Sequence, residues 1–402
     1  ADIRSYLPEL PDFGSPITAR HLLHHTSGYR DYLALMSLAG KRDEDYYDDA
    51  DLYRLLSAQE DLNFAPGDDH LYSNSGYFLL SQLVLRVTGR SLAEVARERI
   101  FEPLGMDATH YHDNWRRVVP NRAVGYAPAA WYRPGDDGPE RRDDAWPGYV
   151  AGAWAHGRDP FDGSDWVVDV TTLPMIGDGG VFSSVEEMAP WVASLMTPNE
   201  VLGGKPWLEL MRSRGVLNSG DTLDYALGLV HGEQRGLRTL GHGGAFVGYR
   251  AAVMTWPDES TGVVTLCNRA DGRPGPLGQA VGAIVLADVM EPEEVATSAG
   301  DTSPVAASGS APATVRLTAA QRSALVGAYY SPELDAVWEI RDRGDELHLS
   351  VAGRERGVLG AVSPERLMGD GVEIDVRMGP QGRAAGLEVD AGRVRNLRFR
   401  RR

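Results

Sequence analysis

The chain has 402 residues, 43% hydrophobic and 24% charged, so it can bury more than one core and is too apolar for a disordered polymer. Forty Lys and Arg face 57 Asp and Glu, a formal charge of -17. That balance argues against nucleic acid or an anionic membrane as partner, because both need a cationic face. The single cysteine, Cys267, excludes an intrachain disulfide and any paired-cysteine zinc site. No stretch reaches the ~18 apolar residues of a membrane-spanning helix.

In chain order, Ile17–His25 comes first and reads as helical, with His21, His24 and His25 able to share one face. No spacing to a fourth ligand accompanies them, so no metal is assigned. The acidic run from Asp43 to Asp51 lacks the turn glycine of a calcium loop and reads as a solvated face. Gly76 to Thr88 is an apolar helical run stopped by Gly89 as a left-handed cap. Ser91-Leu-Ala-Glu94 and Ser184-Val-Glu-Glu187 are capping boxes and predict helices over Leu92–Phe101 and Val185–Met196. Between these helices, Tyr111 to Val170 has no sustained period but holds five of the nine tryptophans, the composition of an ordered functional loop region.

Further on the period becomes two. Leu237–Leu240, Tyr249–Trp256 and Gly262–Asn268 read as strands, and Leu277 to Met290 returns to helix. From Glu291 to Val315 the chain is mostly Ala, Ser, Thr, Pro and Gly, the composition of a flexible linker. Beyond it a short helix follows Thr318-Ala-Ala-Gln321. Val337–Arg341, Glu346–Val351, Val372–Met378 and Val394–Arg400 are then short strands broken by glycine turns, the pattern of a small antiparallel barrel. The last ten residues carry six arginines and read as a solvated strand with a frayed tip. The organisation expected is α+β: residues 1–290 as one domain, 291–315 as linker, and 316–402 as an all-β barrel.

Gly241-His-Gly243-Gly244 is not a dinucleotide fingerprint, since Phe246 stands where the third glycine belongs, and no G-x-S-x-G or P-loop occurs. No cofactor is called for. Three segments are more telling together: Ile17 to Gly28 ending His24-His25-Thr26-Ser27-Gly28, then Tyr72-Ser73-Asn74, then His242-Gly243-Gly244. Their order and separation resemble the penicillin-recognising serine hydrolases, a family of class C β-lactamases, DD-peptidases, D-aminopeptidases and related esterases. Leu104-Gly105-Met106, Gly177 to Ser183, and Tyr225-Ala-Leu-Gly-Leu229 add to the resemblance, which covers about residues 1–290.

The resemblance implies a β-lactamase/transpeptidase-like fold and acyl transfer through a serine ester. The small-molecule acyl substrate would be a small ester, an amide or D-amino peptide, or a β-lactam, in an extracytoplasmic setting with a cytoplasmic one as the alternative. It makes Tyr72 the proton-transfer residue of a Y-x-N motif. A phenol titrates near ~10 in water, so it acts as a base only beside a cation that favours the phenolate. Asn74 would hydrogen-bond a lysine or the substrate amide, and His242 would stand where the family has K-T-G or H-x-G. Past Gly243 and Gly244, the Ala245 N–H would donate to the oxyanion. Ser27 reads as the turn that ends the first helix. The family's S-x-x-K is absent: the only lysines, Lys41 and Lys205, have leucine three residues earlier. Asp2 to Leu10 resembles the segment after the nucleophile helix, so the expectation is that the nucleophile lies upstream and that this chain alone is inactive. The alternative is a catalytically dead binding module for peptidoglycan-like or D-amino-acid ligands.

Overall fold

The computed structural model describes residues 1–41, 45–128, 166–292 and 314–402. Two compact units are present. The first comprises Ala1–Asp45, Ala50–Tyr77 and Glu291–Arg402, the second Tyr46–Asp49 and Phe78–Met290.

In the first unit, short helices Ala19–Leu23 and Tyr32–Leu38 follow capped starts. Thr18 accepts the His21 N–H, while the His21 ring returns a bond to the Thr18 N–H. Asp31 caps the second helix through the Leu33 and Ala34 N–H groups. The barrel is a closed up-and-down meander of eight antiparallel strands: Ala336–Arg343, Glu346–Val351, Arg354–Ser363, Arg366–Gly369, Val372–Met378, Ala384–Ala391, Val394–Arg401 and, closing the ring, Gly327–Ser331. Closure pairs Arg400 with Tyr330 and Arg401 with Tyr329. Inward alternation fills it with Trp338, Ile340, Ile374, Leu387, Val389, Leu397 and Phe399, all nearly inaccessible. Four of these strands (327–331, 354–363, 366–369 and 384–391) escape the sequence reading, because glycine and charge interrupt their alternation.

The arginine-rich end corrects the expected frayed tip. Arg401 donates from its guanidinium to the Ala324, Ala384 and Val326 carbonyls, and Arg398 and Arg395 meet Asp61 and Asp69. This strand is a stave of the barrel and its arginines are tied down. The linker expected at 291–315 lies almost wholly outside the described residues. Its last residue, Val315, donates its N–H to Ala361 on the barrel.

The N-terminal segment and the barrel share a buried ionic core within this unit. The Arg30 guanidinium, fully buried, donates to Glu333, Gln59 and the Arg395 and Asn396 carbonyls. Trp338 donates its ring N–H to the Leu38 carbonyl at 2.8 Å, satisfying an orphan acceptor at that helix end.

In the second unit an antiparallel sheet runs in sequence order through Val230–Gln234, Leu237–Phe246, Tyr249–Trp256 and Thr261–Cys267. Helix Pro274–Val285 packs on it so closely that a Cβ on Gly282 would lie 2.0 Å from the Trp256 ring. Helix Leu92–Ala96 has the full expected capping box and continues as a π turn to Phe101. Helix Val185–Ser194 has only half of its box. Ser184 caps it, but the Glu187 carboxylate is taken by the Ala108 N–H and the Thr109 hydroxyl. Of the tryptophan-rich stretch, residues 129–165 lie outside the described residues.

Candidate active site

Tyr72 and Asn74 stand together in the first unit; His242, Gly243, Gly244 and Ala245 stand in the second. Each group is built by its own surroundings.

The His25-Thr26-Ser27-Gly28 turn is the anchor of the first. His25 takes a positive φ of 55°, and Gly28 one of 78°. A Cβ at Gly28 would fall 2.1 Å from the Phe64 carbonyl oxygen, so only glycine fits. Ser27 is buried and accepts the Tyr29 N–H, a turn-forming role. His25 accepts the Ser73 N–H at Nδ1 (3.1 Å), which fixes its ring proton on Nε2. Its ring lies 4.1 Å from the Tyr72 ring and 5.2 Å from that of Tyr77. The three histidines are therefore spent separately. His21 caps a helix, His24 donates to the Arg20 carbonyl, and His25 holds the backbone beside Tyr72.

Three residues beyond the turn, Asp31 is 1% exposed. Its Oδ2 accepts both the Asn74 backbone N–H (2.8 Å) and the Asn74 side-chain N–H (2.7 Å). A carboxylate only accepts, so the amide orientation of Asn74 is determined: nitrogen toward Asp31, carbonyl oxygen away. Ser75 adds a second tie, donating to the Arg30 carbonyl and accepting the Tyr32 N–H. Tyr72 and Asn74 thus project from a segment whose backbone is bonded at 71, 73 and 74 and whose Ser75 hydroxyl is bonded as well.

The barrel supplies a further group to this site. Arg393, in the turn between strands Ala384–Ala391 and Val394–Arg401, places its guanidinium 4.7 Å from the Tyr72 ring centroid and 3.5 Å from the Asp31 carboxylate. Its carbonyl accepts the Asp31 N–H and the Asn63 side-chain N–H, and Asn63 in turn accepts the Arg395 N–H. The same arginine lines an open cleft of about 290 Å³ with Ser37, Leu38, Arg356 and Asp370, so its side chain stays reachable from solvent.

In the second unit, His242 lies on strand Leu237–Phe246 opposite Val253. Its Nδ1 donates to the Gly243 carbonyl at 2.6 Å, leaving Nε2 to accept the Tyr225 hydroxyl at 3.2 Å in the neutral ring. Pairing with strand Val230–Gln234 stops at Gly241, whereas pairing with Tyr249–Trp256 continues to Phe246. Residues 242–246 therefore have a strand on one side and none on the other among the described residues. Space does not demand glycine at 243 or 244, where an added Cβ meets only ordinary contacts with Ala251. It does at Gly241, where a Cβ would lie 2.2 Å from the Val253 carbonyl oxygen.

Sequence reasoning missed His25, Asp31 and Arg393 as site residues and placed Tyr225 only as a matching segment. Asp31 had a signal: an N-cap residue three places after a glycine turn. Arg393 had none, being 321 positions from Tyr72.

The Tyr72-Ser73-Asn74 turn beside His25-Thr26-Ser27-Gly28, and an antiparallel sheet whose strand Leu237–Phe246 is unpaired on one side beyond Gly241 among the described residues, stand on a chain whose family the sequence identifies. A family model described as Beta-lactamase matches residues 1–286, and the chain belongs to that family. D-aminopeptidases resemble it in sequence: that of Gluconobacter oxydans is 28% identical over 271 residues, covering 67% of this chain and 44% of that enzyme. That of Brucella anthropi is 28% identical over 255 residues, 63% and 42%. The chain thus spans less than half the length of these curated relatives. Among solved structures, the octameric penicillin-binding protein homologue from Pyrococcus abyssi aligns over 99% of this chain and 81% of its own, at TM-score 0.55 and 18% identity. A D-stereospecific amidohydrolase from Streptomyces aligns over 70% and 77%, at 0.52 and 20%. At such identities these likenesses show the fold alone.

Proposed function

We propose that the chain supplies the proton-transfer residue and the substrate edge of a serine hydrolase that cleaves amides of D-amino acids. The observation that carries this reading is the Tyr72–Asn74 clamp, in which a buried carboxylate, a histidine ring and the backbone hold a phenol and an amide in fixed orientation beside a cation. D-Amino specificity draws its support from the D-aminopeptidase relatives. The binding-module alternative draws none from them.

In this reading a serine hydroxyl attacks the amide carbonyl while Tyr72, as phenolate, takes the hydroxyl proton. Tyr72 then returns that proton to the leaving amine, and water repeats the cycle on the ester. Asn74 presents its carbonyl oxygen and its second N–H to the substrate or to the family lysine. The open edge at 242–246 receives the substrate backbone, with the Ala245 N–H donating to the oxyanion. His242, oriented by Tyr225, fixes the substrate end. No serine of this chain precedes a lysine by three, so none is assigned as nucleophile.

The test has two arms. The 402-residue chain takes no fluorophosphonate label; a stoichiometric adduct on any of its serines overturns the assignment. In a form preceded by an S-x-x-K segment, Tyr72→Phe lowers kcat on D-alanine p-nitroanilide by ~10²–10⁴-fold. Full turnover in that variant removes Tyr72 as the base.

A further inference from the structure

We infer that Arg393, carried by a barrel turn, is a positioning residue for the Tyr72 step: tied to Asp31, it holds positive charge against the Tyr72 ring and favours the phenolate. The inference rests on the proposed role of Tyr72 as base and names the cation that role requires.

The argument starts from what faces Tyr72. His25 packs on its ring and, with Nδ1 accepting a backbone N–H, is neutral. His70 lies edge-on to His25 at 6.2 Å, and burial lowers its pKa against the opposing pull of Asp69, so it too favours the neutral form. Tyr77, on the other contact of His25, donates to the Leu23 carbonyl. Asp69 is paired with Arg395 at 3.0 Å. The Arg393 guanidinium lies over the Tyr72 ring, 4.7 Å from its centroid. A cation within ~6 Å of an aromatic centroid is attracted by the ring, and more strongly once the ring carries negative charge.

Asp31 does not simply cancel this charge. Its carboxylate accepts two N–H bonds from Asn74 and two more at the start of helix Tyr32–Leu38. Much of its negative charge is therefore answered locally. The arginine is held in place from behind, because its carbonyl is pinned by the Asp31 N–H and the Asn63 amide. Only the side chain has to be ordered. A guanidinium, weakly hydrated and always charged, suits a position that needs a lasting charge over a ring and half open to solvent. One residue thus links the Asn74 anchor to the Tyr72 phenol.

The experiment reads the phenol directly and needs no turnover. In the full chain labelled with ¹³Cζ-tyrosine, the Tyr72 resonance is identified by its loss in Tyr72→Phe and then titrated. Arg393→Gln raises the Tyr72 midpoint, on the order of half to one pH unit for a partly screened charge at this distance. Arg393→Lys keeps the charge and restores at least half of that difference. Arg395→Gln, which removes a neighbouring guanidinium paired elsewhere, leaves the midpoint in place. An unchanged midpoint in Arg393→Gln, or equal shifts in the Gln and Lys variants, overturns the inference. If the midpoint moves as expected while Tyr72→Phe keeps full hydrolase activity, the charge effect stands and the reading of Tyr72 as base falls.

Discussion

Arg30→Met tests the ionic core of the first unit most sharply. The guanidinium is fully buried and spends its N–H groups on Glu333, Gln59 and two backbone carbonyls, those of Arg395 and Asn396. Methionine fills much of the volume but donates nothing. The Glu333 carboxylate is then left buried with the Glu60 N–H donating to it. Removing one partner of a buried ion pair costs about 3–5 kcal/mol, because the other charge stays behind uncompensated. At about 2–4 °C per kcal/mol for a unit of this size, the transition of the first unit falls by roughly 6–20 °C. Arg30→Lys is expected to recover little, since an ammonium cannot span all four acceptors. The decisive sample is the double variant Arg30→Met with Glu333→Met. With both charges gone, it should lose markedly less than the sum of the singles, giving a coupling of about 2 kcal/mol or more. Urea unfolding followed by circular dichroism measures all four corners of the cycle. A cost below about 1 kcal/mol for Arg30→Met, or strict additivity in the double variant, would refute the view that this pair locks segment 1–77 to the barrel.

Asp31→Ala removes both a helix cap and the anchor of Asn74, and should cost about 2–4 kcal/mol from one cap and one charge-assisted bond; urea midpoints check it. Gly241→Ala forces a Cβ onto the Val253 carbonyl and should destabilise by about 1–3 kcal/mol, whereas Gly244→Ala should be near neutral in the same melt. Burial lowers the pKa of His21, His70 and His112, so the folded state takes up these protons less readily than the unfolded chain. Stability is therefore full above about pH 6.5 and falls as pH drops below it. His112, stacked on Phe182 with neither ring nitrogen bonded, should contribute; His112→Phe should flatten the change in urea midpoint between pH 7.5 and 5.5. We propose from composition that 316–402 folds alone; a cooperative thermal transition of that piece is expected, and a non-cooperative one counts against it.

Local signals were legible wherever local chemistry decides. Ser91 and Glu94, Thr318 and Gln321, and Gly89 announced helix ends because each satisfies backbone groups a few residues away. The box at Ser184 was misread because Glu187 had a second suitor, Thr109, that no local rule can see. Strand Arg354–Ser363 was missed because Gly357 and Gly360 break its alternation; a Cβ on Gly360 would meet Thr314 at 2.9 Å, a constraint from outside the strand. The frayed-tip reading of the last arginines failed for a related reason. Charge alone predicts solvation, yet Arg401 finds three carbonyls, two at the end of helix Ala319–Leu325 and one on strand Ala384–Ala391.

The candidate site divides along the same line. Tyr72, Asn74 and His242 could be named from motif order, since a motif is a short-range statement about which side chains leave one turn or one strand edge. What orients them is long-range. Asp31 reaches Asn74 across 43 positions, Tyr225 reaches His242 across 17, and Arg393 reaches Tyr72 across 321. The sequence reading required a cation beside the phenol and expected the family lysine upstream, since neither Lys41 nor Lys205 stands in an S-x-x-K. The structure puts an arginine from a barrel turn 4.7 Å from the Tyr72 ring centroid, a residue whose own motif content is nil. A family pattern names the lysine as source of that charge and is silent about residues far away in the chain. A buried carboxylate at a helix cap, already committed to an amide, is the feature that points to such a cation. In this chain Asp31 is that carboxylate, and tracing its remaining neighbours leads directly to Arg393.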